Sequence, residues 1–193
     1  MADNKATKSA GEHWVCSVLS RQGWGAALTR DGLERTDILA VDPIVEPRHT
    51  IEVQVKTCTN TNEKYGSWML GEKTQTPARS EDEWFVLVAL DPKTTDRPRS
   101  FIIPRNHVAA AAYIRHMHWL TEPGIPEGKR NGSLNTARIQ IWVAKGYEER
   151  WDLLKHPASE APVLLPTEFR HYALSKRVGL PTDHPWRTSL PEW

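Results

Sequence analysis

The feature that most constrains the fold is an uninterrupted apolar run, Trp-Phe-Val-Leu-Val-Ala-Leu, at residues 84–90. Such a run, with no polar alternation, is typical of a strand that is covered on both faces. The sheet that contains it therefore needs packing elements on both sides. With 193 residues, 39% of them hydrophobic, and nine tryptophans, the chain can bury that core without disulfides or structural metal.

The segments around this run supply the remaining elements. A helix is predicted from Ser9 to about residue 22, because Ser9 and Glu12 match the capping-box pattern and Gly23 suits a helix end. Short strands are predicted at residues 24–29, 36–41, 51–56, 100–103 and 139–143, and further helices at 106–119 and 148–155. This order predicts an α/β sandwich with a mixed central β-sheet flanked by helices.

Composition divides the chain into three parts. Residues 1–8 are polar and are predicted to be a disordered lead-in, and residues 9–155 carry the α/β domain. Residues 156–193 are expected to be a C-terminal extension, since six of the fourteen prolines lie between Pro157 and Trp193. We expect this extension to lie across the domain or to contact a partner.

Charge and cysteine usage exclude several classes of protein. The formal net charge is only +1, so any surface for nucleic acid has to be a local patch. The two cysteines, Cys16 and Cys58, are far apart and form no CxxC pair, which argues against a disulfide framework and structural zinc. The N-terminus has no apolar signal-peptide core, and no run is long enough to span a bilayer, so we expect a cytoplasmic protein without membrane contact.

One strand carries the chemically informative pattern. Residues 51–56 alternate strictly, with Ile51, Val53 and Val55 on one face and Glu52, Gln54 and Lys56 on the other. Period-two geometry places Gln54 and Lys56 on the same side, where both can address one ion or one phosphate. The commonest meaning of such alternation is the solvated face of an edge strand.

Two acids at other positions change this interpretation. Asp37 begins an apolar segment where an acid is disfavoured, and Glu12 lies on the first helix. Phosphodiester hydrolysis needs a divalent cation with carboxylate ligands, together with a lysine that orients water or stabilises phosphate charge. Glu12 is equally well explained as a capping residue.

In their order and spacing, these residues resemble the PD-(D/E)XK nuclease superfamily. Its pattern is a glutamate on a helix, an aspartate on a strand and an acid-x-lysine on the next strand, which here would be Glu12, Asp37 and Gln54-Val55-Lys56. The chain is similar in particular to small bacterial members with a Gln-Val-Lys-Thr motif. Residues 101–104 (Phe-Ile-Ile-Pro) and 151–154 (Trp-Asp-Leu-Leu) also look like that group.

The resemblance implies a restriction-endonuclease-like sandwich and a Mg²⁺- or Mn²⁺-dependent nuclease that acts on nucleic acid, with DNA as the expected substrate. It also implies a homodimer, because paired sites cut two strands. Asp37, Gln54 and Glu12 would bind the metal, and Lys56 would position the attacking water. The chain departs from the pattern at Gln54, which offers a carbonyl oxygen but no charge. Either Glu12 or Glu52 could restore that charge.

Two other functions remain open from the sequence. Because Gln54 replaces an acid, the chain could be a catalytically silent nuclease-fold module for nucleic-acid binding or assembly. It could also be an α/β interaction protein in which the motif is coincidental. His116 and His118 are two apart on a predicted helix and make a poor metal pair, and Trp68 is interpreted as core or lid packing rather than a base-stacking residue.

Overall fold

A five-stranded mixed sheet lies at the centre of the fold. The computed structural model describes residues 4–30, 33–126 and 128–193. The central sheet contains β1 (Gly25–Leu28), β2 (Ile38–Val41), β3 (Thr50–Cys58), β5 (Glu83–Ala89) and β6 (Arg99–Pro104), and a second sheet pairs β4 (Ser67–Met69) with β7 (Arg138–Gln140). The helices are α1 (Asn4–Arg21), α2 (Arg105–Leu120), α3 (Ile141–Ala144) and α4 (Thr167–Leu174), and short 3-10 turns connect several of these elements.

The strand order is β1-β2-β3-β5-β6. The first three strands are antiparallel, β3 and β5 run parallel, and β6 returns antiparallel to β5. The prediction of an α/β sandwich with a mixed central sheet is therefore confirmed. The crossover between the two parallel strands is made by β4 and a 3-10 turn at Glu72–Gln75 rather than by a long helix.

Helices cover the sheet on both faces, as the apolar run requires. Every residue of β5 is buried. On one face, α1 packs against β1 and β3, and Trp14 donates a hydrogen bond to Ser100 Oγ (3.0 Å). On the other face, α2 begins with the Arg105 guanidinium over the Phe85 ring, 4.6 Å from its centroid.

The structure corrects several predicted boundaries. Helix α1 begins at Asn4, so residues 4–8 are helical rather than a disordered lead-in, and Ser9 is inside the helix instead of capping it. The longer helix is stabilised by the ion pair of Lys8 with Glu12 one turn later. The strand predicted at 139–143 ends at Gln140 and continues as α3, and the helix predicted at 148–155 is a 3-10 turn over Trp151–Lys155.

The C-terminal extension packs on the body of the domain. Its residues Phe169, Val178, Leu180 and Trp186 belong to the same buried cluster as the sheet. His184 Nε2 lies 2.9 Å from the carbonyl oxygen of Asn106 in α2. The extension thus fills apolar surface over α2 rather than forming a core of its own. Among the residues that the structure describes, the helices are too short or too polar to span a bilayer.

Candidate metal and phosphate site

Helix α1 reaches the sheet through an unusually close contact at Gly11. A Cβ atom built on Gly11 would lie 2.0 Å from Thr57 Oγ1 in β3, so any side chain at this position would push the helix away. Glu12 is the next residue along α1. The absence of a side chain at Gly11 therefore allows Glu12 to lie beside the end of β3.

Asp37 lies directly before β2, where it is held by the backbone of β3. Its amide donates to the carbonyl oxygen of Val53 (2.9 Å), and its Oδ2 accepts a hydrogen bond from the Val55 amide (2.8 Å). Pairing of β2 with β3 ends at Val53. The Asp37 carboxylate therefore satisfies a strand amide just beyond the paired region and fixes its own orientation.

One cation joins the two acids. Lys8 Nζ lies 3.1 Å from Glu12 Oε1 and 3.5 Å from Asp37 Oδ1. The hydrogen bond with Glu12, and then the charge of Asp37, raise the pKa of Lys8 against the lowering effect of its partial burial. Lys8 is absent from the sequence-based site. Its i,i+4 spacing from Glu12 indicates this contact only for a helix that begins before Ser9.

Lys56 lies within the electrostatic reach of the same two acids. Burial lowers its pKa below the ordinary value. Asp37 and Glu12 oppose this shift, whereas Lys8 and Arg105 add to it. The structure therefore brings Glu12, Asp37 and Lys56, three of the predicted site residues, into one electrostatic environment beside the part of β3 that extends beyond its pairing with β2.

Gln54 has a partner that the sequence did not reveal. Its Oε1 accepts a hydrogen bond from Arg105 Nη2 (2.8 Å). The Arg105 side chain is only 1% exposed and also pairs with Glu83, which accepts a second ion pair from Arg35 (2.7 Å). Burial, followed by the charge of Arg35, lowers the pKa of Arg105 to about 10. Gln54 thus lies against a buried cluster of two cations and one carboxylate.

The Glu52 carboxylate accepts a hydrogen bond from the segment just before β2. Thr36 Oγ1 donates to Glu52 Oε2 (2.7 Å). Of the two acids that could restore charge near Gln54, Glu12 is the one that shares a cation with Asp37, and Glu52 is not part of that bridge.

Glu12 and Asp37 supply the donor chemistry that a divalent cation requires. The described residues contain no group of three or more histidine, cysteine, aspartate and glutamate side chains that could hold a metal by themselves. Mg²⁺ needs fewer protein ligands, since one or two carboxylates with waters and a substrate phosphate are its usual sphere. Glu12 Oε1 and Asp37 Oδ1 already converge on a single positive charge, that of Lys8. The donor set therefore fits Mg²⁺ or Mn²⁺.

The remaining candidate side chains have structural roles. Trp68 is buried and donates to the Val88 carbonyl oxygen (2.8 Å), which agrees with core packing. His116 is bonded to the Gly132 carbonyl oxygen (3.0 Å), and the His118 ring lies 4.2 Å from that of Tyr172. Burial raises the pKa of the Cys58 thiol to about 11, so it is not an activated nucleophile.

Comparison with known proteins gives little beyond this geometry. No protein-family profile matches the chain, and no curated protein matches it. Among solved structures, the chain is similar to a bacterial homing endonuclease with 17% sequence identity and a TM-score of 0.47, over 81% of this chain and 96% of that one. A likeness of this size does not define a family.

Proposed function

We propose that the protein is a metal-dependent nuclease of the PD-(D/E)XK type that hydrolyses phosphodiester bonds, with DNA as its substrate. The observation that carries this proposal is the convergence of Glu12 and Asp37 on one cation position, with Lys56 within their electrostatic reach. An acid pair and a lysine at one strand edge are the groups that such hydrolysis needs.

Each residue has a distinct role in this proposal. A divalent cation at the site would activate water and neutralise charge that develops on the phosphate. Asp37 and Glu12 would hold it through the oxygens that now face Lys8. Lys56 orients the attacking water and donates to the phosphate. Burial lowers its pKa below the ordinary lysine value, which would ease proton exchange with that water.

Gln54 contributes through a carbonyl oxygen that is already oriented. Arg105 donates to Oε1 along one of its two lone-pair directions, and the other would complete the coordination sphere. In this scheme the negative charge at the site comes from Asp37 and from α1, through Glu12. Paired sites in a homodimer would allow cleavage of both strands.

A catalytically silent binding module is the second candidate. It is favoured by the same bridge, because Lys8 already compensates the charge of Glu12 and Asp37 without a metal. In such a protein Lys56 and Lys8 would contact phosphates only, and no metal would be required for binding.

Cleavage of plasmid and oligonucleotide DNA separates the two candidates. Wild type, Lys56→Ala and Asp37→Ala are compared with Mg²⁺, Mn²⁺ and EDTA, and the exposed Lys155→Ala provides a matched loss of charge away from the site. We expect cleavage with Mg²⁺ or Mn²⁺ that falls about 10²–10⁴-fold in Lys56→Ala and Asp37→Ala but not in Lys155→Ala. DNA binding without metal-dependent cleavage would support the silent module instead.

A further inference from the structure

A second site lies between α2 and the C-terminal extension, away from the acid pair. It is a cavity of about 290 Å³ whose walls are the second half of α2, Trp142 of α3, and α4. Besides the His118 imidazole, four large aromatic rings line it: Trp119, Trp142, Phe169 and Tyr172. Trp119 and Trp142 are 37% and 36% exposed, so two large flat rings remain accessible to a ligand.

Arg115 gives the cavity a cation that has no direct ion-pair partner among the described residues. Its Nε donates to the neutral Gln140 Oε1 (3.1 Å), and no carboxylate of the described residues is within ion-pair distance of it. Burial lowers the pKa of Arg115, and the neighbouring Arg130 adds to that effect, whereas Glu122 opposes it. A half-buried guanidinium in this setting favours an electron-rich ligand.

A second cavity of about 290 Å³ continues past Trp119. It is also lined by Arg115 and Trp119, together with Thr136 and Arg138. Arg138 is exposed, and among the described residues its one side-chain hydrogen bond is a long contact with the Ser67 hydroxyl (3.4 Å). Two arginines and a hydroxyl along an open groove suit the charge of a sugar–phosphate backbone.

The carboxylates decide which part of a ligand occupies which cavity. Glu122 and Glu168 line the first cavity and would repel a phosphate there. A nucleobase has no such conflict, because its flat face stacks on indole rings while its edge offers both donors and acceptors. Glu168 can accept from that edge, and Arg115 can donate to it.

We propose that this pair of cavities binds an unpaired nucleobase, with the adjoining backbone passing over Trp119 onto Arg138. The proposal rests on the proposed function, and it specifies the substrate as nucleic acid with an unstacked base. The base can come from a single strand or from a base extruded from a duplex. Glu168, Phe169 and Tyr172 belong to the C-terminal extension, so the extension completes this site.

Binding of 2-aminopurine oligonucleotides in EDTA tests the proposal independently of cleavage. The fluorescent base is placed in a single strand, as one unpaired base in a duplex, or in a fully paired duplex. We expect wild type to bind the first or second more tightly than the third, with a change in fluorescence as the base enters the cavity. Trp142→Ala should weaken that binding about 10-fold, the effect of one stacked base. Trp142→Phe should recover most of it, because the ring is kept.

Three controls make the result decisive. Tyr65→Ala removes an aromatic ring that is 68% exposed and lies outside both cavities, so its affinity should be unchanged. Arg138→Gln should reduce the salt dependence of binding by about one phosphate contact. Circular dichroism and light scattering confirm that each variant remains folded and keeps its oligomeric state.

The outcomes distinguish this site from the proposed nuclease centre. Equal affinity of wild type and Trp142→Ala for every probe would overturn the base-binding proposal, even if Lys56-dependent cleavage is present. Base binding that depends on Trp142, in a protein that shows no cleavage, would support the base-binding proposal and contradict the proposed nuclease activity. A change of oligomeric state in Trp142→Ala, with base affinity unaffected, would show instead that the rings form a contact between copies of the chain.

Discussion

Substitution of Gly11 by alanine should separate the activity of this protein from its stability. The new Cβ would lie 2.0 Å from Thr57 Oγ1, and 3.1 and 3.2 Å from Thr57 Cβ and Cγ2. Rotation of Thr57 relieves only part of the conflict, because its Cβ stays 3.1 Å from the new atom in every rotamer. Helix α1 should therefore shift from β3 by up to about 1 Å to regain ordinary contact distances.

Two effects on stability oppose each other. Replacing glycine by alanine inside a helix raises the unfolding free energy by about 1 kcal/mol. Overpacking of a tight contact costs about 1–3 kcal/mol. The net loss of unfolding free energy should then be about 0–2 kcal/mol, and the variant should remain folded.

The effect on the site should be much larger. Glu12 follows Gly11 directly and would move with the helix relative to Asp37. A displacement of about 1 Å at a reacting centre can cost about 10²-fold in rate. We therefore expect a loss of about that size in metal-dependent DNA cleavage, accompanied by weaker Mn²⁺ binding measured by electron paramagnetic resonance.

A second substitution provides the control. Thr57 Oγ1 is buried and has no hydrogen-bond partner within the described part of the chain, so Thr57→Ala alone should cost little stability. In Gly11→Ala/Thr57→Ala the closest contact is removed, and cleavage and Mn²⁺ affinity should partly recover. If Gly11→Ala keeps both at the wild-type level, the contact between α1 and β3 does not position Glu12, and the reasoning fails.

Three further predictions follow from the same geometry. Lys8 is 55% exposed, and each of its two ion pairs contributes roughly 0.2–1 kcal/mol. Lys8→Met should therefore raise the Mn²⁺ affinity measured by calorimetry about 5-fold. Unchanged or weaker binding would show that Lys8 does not compete with the metal. Burial lowers the pKa of His107 to about 3, so between pH 7 and pH 5 the unfolded chain takes up a proton at this residue that the folded chain excludes. The unfolding free energy measured in urea should therefore fall by about 2 kcal/mol from pH 7 to pH 5. His107→Gln should lack this component. Truncation after His156 removes Phe169 and Trp186 and should expose the apolar surface on which they pack, so the shortened chain should aggregate. A soluble monomer with the wild-type Tm would contradict this.

Local patterns predicted the sheet well because the physics that defines its strands is local. Ile51, Val53 and Val55 are buried, whereas Glu52, Gln54 and Lys56 are only partly so, which is the alternation that the sequence displays. The uninterrupted run in β5 is buried throughout. The alternation in β3 and the apolar run in β5 both reflect which faces of a strand contact the core. Residues next to one another in the sequence are enough to show this.

The features that the sequence did not reveal depend on contacts between distant segments. The start of α1 was misplaced because the capping-box signal of Ser9 and Glu12 competes with the ion pair of Lys8, whose second partner, Asp37, is 29 positions away. The contact of Arg105 with Gln54 joins residues that are 51 apart and leaves no local pattern. The aromatic cavity likewise forms only when α4 packs on α2.

The environment of Gln54 gives a physical reason for an amide at this position. Arg105 is buried beside Arg35, and the pair shares one carboxylate, Glu83, so the cluster has an excess of positive charge. A glutamate at position 54 would be drawn into an ion pair with Arg105, because a buried charge is stabilised most by the nearest opposite charge. Its negative charge would then serve that cluster rather than a metal. The amide keeps Oε1 oriented by Arg105 without this competition. In the proposed nuclease, α1 has accordingly taken over the supply of the second carboxylate. The close contact at Gly11 is what brings that carboxylate, on Glu12, to the same cation as Asp37.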